Sequence, residues 1–360
     1  MKKTRRLSRV FFHSTSEKGK ALVPVISICL SPGLQRSVII DSLMPGEVNR
    51  LQSVVVDVAG KGVNVCRVLQ RLGVEACCLA QGGDNADEIT ALAKCEGLNL
   101  RLIPSSGRLR TCTSIIEAPD AHRRRVTELV EPTSPVDATC VDLMTETVQH
   151  LLPSATALVI AGSMAPGFPT GYQTRLASMA GEAGIPVFLD LQGAPLRDAI
   201  TAQPAVVKIN LAEFVATFLA DRFRGGEHSG ELAAPDISAE LLEAVADVSR
   251  QHATFFVLTR GANSILLVRG GELRMIPVTP LAAEETMSPT GSGDAFLAGL
   301  LAGLLDTGGL AGCETISFEA IEGAIGLAIH CAQSNARTLR PGFLEDAFRP
   351  AFFRPGKVRS

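Results

Sequence analysis

The chain has 360 residues, 46% of them hydrophobic and 20% charged, so it can bury a large core and is too apolar to be disordered. A formal net charge of −3 excludes the basic field that a nucleic-acid backbone requires, and no apolar run is long enough to cross a bilayer. With no Trp, one Tyr and 33 Gly, the core falls to Leu, Val, Ile and Ala, the usage of strands covered on both faces by helices.

Arg5 and Arg6 precede an apolar stretch from Ala21 to Leu30, an order that mimics an export signal. Pro24 interrupts the stretch and no small-residue cleavage site follows, so residues 1–20 are expected to be a disordered basic tail before a single domain over 21–350. The nine cysteines (Cys29, Cys66, Cys77, Cys78, Cys95, Cys112, Cys140, Cys313 and Cys331) are odd in number and contain no C-x-x-C. They read as thiols in a reducing cytoplasm, most of them buried, and not as a zinc or disulfide framework.

Val23 to Leu30 predicts a buried strand that ends at Ser31-Pro32-Gly33. Short strands follow at 38–40 and 53–58, then a helix over 62–72 with Val65, Val68, Leu69 and Leu72 on one face. A strand at 75–80, a helix at 86–94 and a strand at 98–103 come next. Two β-rich segments, 111–117 and 123–129, flank Ala118-Pro119-Asp120, a hairpin signal. Helix 139–150, strand 156–161, helix 171–183, strand 186–190, strand 204–208 and helix 211–220 continue the alternation, and Arg224 to Gly230 reads as a loop. Strands at 254–259, 264–268 and 272–276 and two apolar helices near 293–305 and 317–335 close the chain. Such alternation predicts an α/β fold with a doubly wound, mainly parallel sheet flanked by helices. The strands near 36–58 and 111–129 fall outside it and are expected to form a small β-sheet lid.

Two glycine clusters carry candidate chemistry. Thr290-Gly291-Ser292-Gly293-Asp294 opens an apolar helix, where backbone N–H groups and the helix dipole can meet a phosphoryl group and a carboxylate can take a hydroxyl proton. Ala59-Gly60-Lys61-Gly62-Val63-Asn64 joins a strand to a helix, with Lys61 as a point charge for phosphate and Asn64 as donor and acceptor for hydroxyls. Neither the P-loop pattern nor the dinucleotide fingerprint occurs.

Order and spacing of these clusters resemble the PfkB carbohydrate-kinase family, whose fold is called ribokinase-like, over about Val23 to Gly342. Ala59 to Asn64 is similar to its G-G-K-G-x-N turn and Gly291 to Asp294 to its G-A-G-D turn. Between them, Gly162 to Gly167 resembles G-S-x-P-P-G, Lys208 to Glu213 resembles K-x-N-x-x-E, and Thr259 to Asn263 stands where a nucleotide-binding S-x-G-x-x-G stretch is expected. Gly46 to Arg50, Arg110-Thr111 and Thr127 to Leu129 resemble the 1-phosphofructokinase and tagatose-6-phosphate kinase branch.

The resemblance implies a carbohydrate kinase using ATP and Mg²⁺, with Asp294 as base and the N–H groups of Gly291, Ser292 and Gly293 as anion hole. It places Lys208, Asn210, Glu213, Thr259, Gly261 and His330 at the nucleotide, Glu213 reaching the metal through water. Gly60, Lys61, Gly62, Asn64, Arg110 and Gln35 would hold a small sugar phosphate. It also implies a cytoplasmic enzyme with no nucleic-acid or membrane partner, paired as a homodimer through the lid. Three departures stand out, two on the substrate side and one at the nucleotide. Gln35 stands where the branch has an aspartate, Ala59 replaces a glycine, and the segment after Thr259 lacks its second glycine. On this reading Gln35→Asp improves activity on the branch's sugar phosphates. The alternatives are a kinase for a free sugar or nucleoside, or a non-catalytic sensor of nucleotide or sugar phosphate.

Overall fold

The computed structural model describes residues 25–120, 123–223, 237–310 and 316–349. The expected tail at 1–20, the loop at 224–230 and Cys313 lie outside them. In chain order the elements begin β1 (Val25–Cys29), β2 (Gly33–Ile40), β3 (Ser53–Ala59), α1 (Lys61–Arg71), β4 (Ala76–Gln81), α2 (Ala86–Glu96) and β5 (Leu100–Ile103). A hairpin of β6 (Arg110–Asp120) and β7 (Arg123–Val130) follows, then α3 (Ala138–Leu151), β8 (Ala157–Ala161), α4 (Tyr172–Glu182), β9 (Val187–Asp190) and α5 (Gly193–Ala199). The remainder is β10 (Val206–Asn210), α6 (Leu211–Phe218), α7 (Ala239–Arg250), β11 (Phe255–Thr259), β12 (Ile265–Arg269), β13 (Glu272–Ile276), α8 (Ser292–Thr307) and α9 (Phe318–Ala336).

The main sheet has nine strands in the order β13-β12-β11-β10-β9-β8-β1-β4-β5, parallel from β5 through β11, with β12 and β13 antiparallel at one edge. From β1 the chain winds outward through β4 and β5, then returns beside β1 as β8 and winds the other way. The crevice at such a reversal, beyond the carboxyl ends of the strands, is where open α/β sheets bind ligands. Alternate residues of each strand feed two cores: Val25 and Cys29 pack with α1, α8 and α9, while Ile26 and Ile28 pack with α3, α4, α6 and α7. Each fully buried Leu or Ile in these layers contributes about 1.5–3 kcal/mol. The small sheet, ordered β3-β2-β6-β7, stands apart as expected for the lid segments.

Helix α8 is buried from Asp294 to Leu304 and packs along α9. At Gly299 a Cβ would fall 2.8 Å from Ala328 Cα, so glycine there allows the close crossing of α8 and α9. Two helices go beyond the sequence expectation. α7 is capped by Ser238, whose hydroxyl accepts from Leu241 N at 3.2 Å, and α5 carries Pro195 in its first turn, where its missing N–H costs nothing. All described cysteines are free; Cys95 is exposed, Cys112 half-buried and the others buried. No helix among the described residues is long and apolar enough to cross a membrane.

Candidate active site

The two glycine clusters meet. Asn64, on the first turn of α1, donates from Nδ2 to Asp294 Oδ2 at 2.8 Å across 230 residues of sequence. Gly291 caps α8 with φ +84°, a conformation that favours glycine, and a Cβ there would fall 2.7 Å from Gly342 N and 2.8 Å from Pro341 Cα. The Ser292 N–H, expected in the anion hole, donates instead to Pro289 O at 3.1 Å. Gly293 lies in the first turn of α8, where N–H groups have no acceptor within the helix. The Ser292 hydroxyl is buried without a hydrogen-bond partner.

Asp190, at the end of β9, joins two lysines and was not singled out by any motif. Its Oδ1 accepts from Lys61 Nζ at 2.7 Å and its Oδ2 from Lys208 Nζ at 2.8 Å. The same Lys208 Nζ stands 2.6 Å from where a Gly293 Cβ would fall, so this ammonium lies against the glycine turn. Lys61, expected at the sugar phosphate, therefore points its charge toward the carboxylates beneath that turn. Burial would raise Asp190, but Lys208 and Lys61 hold its carboxyl down at about 2. Burial also opposes the Lys61 ammonium, yet Asp190, Asp294 and Glu213 hold it above the usual lysine range. Asp294 is 5% exposed. Burial raises its carboxyl most; Lys61 opposes this, Asp190 adds to it, Asn64 and Lys208 favour the anion, and the balance lies at about 6.

Arg67 determines which way the Asn64 amide faces. Its Nη1 donates to Asn64 Oδ1 at 2.8 Å and to Pro341 O at 3.2 Å, its Nη2 to Val58 O at 2.8 Å, and its Nε to Glu96 Oε2 at 2.9 Å. With Oδ1 occupied by a cationic donor, the amide presents its NH₂ to Asp294. The segment 338–343 completes the wall: Arg340 grips Asp57 of β3 and stacks on Phe343, and Asn335 Nδ2 donates to Arg340 O and Phe343 O. No short motif announces these residues.

Asn210 and Glu213 form a capping box on α6: Glu213 N donates to Asn210 Oδ1 at 2.7 Å and Asn210 N to Glu213 Oε2 at 3.3 Å. No group of three or more His, Cys, Asp or Glu side chains that could hold a metal occurs among the described residues. Half-buried Glu213, near enough to act on the Lys61 ammonium, fits a hydrated Mg²⁺ held mainly by nucleotide phosphates. Thr259 ends β11, and Gly261 takes φ +60° in the turn that follows. Where the second glycine is missing, Ser264 keeps a negative φ and its hydroxyl accepts from Arg260 Nη1 at 3.1 Å. His330 lies on the exposed side of α9 with its ring against Phe348, centroids 4.7 Å apart. Exposed there, it is not a core residue.

On the substrate side Arg110 opens β6, half-buried, its Nη2 donating to Ser31 O at 3.4 Å. Gln35 is buried and donates from Nε2 to Ser114 Oγ at 2.8 Å. Ala59 ends β3 opposite Gly33 as an ordinary strand residue, and Gly60, at φ +129°, carries the unusual backbone. The methyl at position 59 therefore strains nothing.

The architecture is that of a doubly wound α/β protein with a small second sheet, and comparison with known proteins identifies its class. The model of the pfkB family of carbohydrate kinases matches residues 20–336, and the chain belongs to that family. A 1-phosphofructokinase of Xanthomonas campestris pv. campestris is 30% identical over 286 residues, covering 78% of this chain and 84% of that one. A Thermotoga maritima protein described as a possible 1-phosphofructokinase superposes with TM-score 0.73 at 19% identity, covering 90% of this chain and 94% of its own. Phosphofructokinase-2 of Escherichia coli, in complex with substrates and products, gives TM-score 0.71 at 20% identity over 87% of this chain and 93% of its own. The chain is a carbohydrate kinase with a ribokinase-like fold, and its relatives lie in the 1-phosphofructokinase branch.

Proposed function

We propose that the protein transfers the γ-phosphoryl group of ATP to a hydroxyl of a sugar that already carries one phosphate, fructose 1-phosphate or tagatose 6-phosphate. The observation that carries this reading is the meeting of Asn64 and Asp294 above two lysines that share Asp190. Mg²⁺ bound with ATP neutralises charge on the phosphates. The chain supplies the rest. Asp294, with a carboxyl at about 6, is ionised at neutral pH yet basic enough to take the proton of an incoming hydroxyl. Asn64 holds that carboxylate by its NH₂. The N–H groups of Gly291 and Gly293, with the Lys208 ammonium behind them, stabilise charge on the phosphoryl group in transit. Lys61, its charge shared with Asp190, reaches toward the transferred group as well as the sugar phosphate.

Arg110, Gly60 and Gly62 bind the sugar phosphate, and Thr259 and Gly261 line the nucleotide. Glu213, with Asn210, orients the metal through water. The lid supports pairing with a second copy: the exposed large hydrophobics among the described residues are Met44, Val48, Leu51, Val54, Val56, Leu129 and Val130, all in or beside the lid strands, plus Met275. ADP release from Mg·ATP across a panel of sugar phosphates, free sugars and nucleosides tests the reading. Turnover with a ketohexose phosphate supports it. Turnover only with free sugars or nucleosides, or none with ATP still bound, would replace it by one of the alternative functions.

A further inference from the structure

The face of the lid sheet turned toward the site carries a carboxylate with no assigned role. Pairing sets Gln35 opposite Asp57 and beside Cys112, and sets Ser114 opposite Glu128. Because side chains alternate along a strand, Gln35, Asp57, Ser114 and Glu128 emerge on one side. That side faces the glycine turn, since Thr290 Oγ1 donates to Glu128 Oε1 at 2.8 Å. Asp57 is neutralised by Arg340. Glu128 is exposed and has no cation bonded to it among the described residues. Both of its bonds fall on Oε1, the second from Ser114 Oγ at 3.4 Å, which leaves Oε2 to accept from a ligand. Gln35 Nε2 donates to the same Ser114 Oγ. A continuous line, Gln35–Ser114–Glu128–Thr290, thus runs from the start of β2 to the residue before Gly291.

We propose that Glu128 is a specificity-determining residue of the sugar-phosphate site, its carboxylate accepting a substrate hydroxyl and supplying from β7 the negative acceptor that is absent at Gln35. The inference rests on the proposed function. A sugar phosphate has one anionic end and a row of neutral hydroxyls. Arg110 meets the anionic end, and the hydroxyls need strong acceptors, which a carboxylate provides better than an amide. Glu128 also selects orientation, because a substrate bound the other way round would bring its phosphate beside a like charge. The expectation for Gln35→Asp is thereby reversed. An aspartate there adds a second carboxylate across Ser114 from Glu128, and the two repel.

The test is steady-state kinetics of wild type, Glu128→Gln, Gln35→Asp and the double variant with fructose 1-phosphate and tagatose 6-phosphate, with a thermal unfolding scan of each protein. Glu128→Gln should lower kcat/KM for the sugar phosphate by about tenfold to a hundredfold while KM for ATP and the unfolding temperature stay put. Gln35→Asp alone should also lose activity, and the double variant, with one carboxylate moved back to position 35, should outperform both single variants. Unchanged kcat/KM in Glu128→Gln, or a double variant that does not outperform both single ones, would overturn the proposal. A wild-type protein inactive on every sugar phosphate removes the proposed function and this inference together, and is seen before any variant is made.

Discussion

Replacing Asp294 by Asn should make the protein less active and more stable at the same time, and the stability change should depend on pH. Asp294 ordinarily titrates near 3.8 and is held at about 6 by burial. Between those values the unfolded chain has released the proton that the folded chain retains, so wild-type stability falls as pH rises from about 4 to about 6. The cost of ionising this carboxyl in the fold is roughly 2 kcal/mol at pH 5 and roughly 3 kcal/mol at pH 8. Asn carries no such cost. Its amide has hydrogens to satisfy beside Lys61, a penalty that lowers the gain but does not change with pH. The difference in stability between variant and wild type should therefore grow by about 1 kcal/mol from pH 5 to pH 8, roughly 2 °C in unfolding temperature for a domain of this size. Calorimetric unfolding of both proteins at the two pH values measures this, and kcat of the variant should be down by about a hundredfold to ten-thousandfold. A stability gap that does not widen with pH would refute the buried, raised carboxyl. Turnover retained in the variant would refute Asp294 as base.

Three further outcomes follow from the same geometry. Because the Asn64 amide favours ionised Asp294, Asn64→Ala should move the acid limb of the kcat/KM–pH profile above its wild-type position near pH 6; a limb that stays in place would separate the two residues functionally. Asp190→Asn leaves Lys61 and the buried Lys208 without their shared anion, and urea unfolding should show a loss of about 3 kcal/mol or more, where a loss under about 1 kcal/mol would mean the lysines find other partners. Leu129→Glu places a charge on the outer side of the lid sheet and should convert a dimer to monomers in light scattering, with wild type already monomeric as the contrary result.

The fold was legible because its strands are short, continuous apolar runs and its helices are periodic, and structure and sequence agree within a few residues for most elements. The site was legible only where it is local. Gly60 to Asn64 and Gly291 to Asp294 are contiguous turns whose composition shows their backbone shape. Asp190 was not, because its meaning lies in Lys61, 129 residues away, and Lys208. The Arg340 grip on Asp57 spans 283 residues and has no pattern along the chain. Departures from a motif were also misleading in isolation. Ala59 replaces a motif glycine, yet the residue needing conformational freedom is Gly60. Gln35 read as a lost charge until the strand register placed Glu128 on the same face.

The central claim is most directly tested by following the products in phosphorus NMR when wild-type protein is given Mg·ATP and fructose 1-phosphate. A new phosphomonoester resonance of a hexose bisphosphate, growing in step with ADP and at least about a hundredfold more slowly with Asp294→Asn, is the predicted result. ADP without a bisphosphate, or bound ATP that is never cleaved with any sugar phosphate, would contradict it.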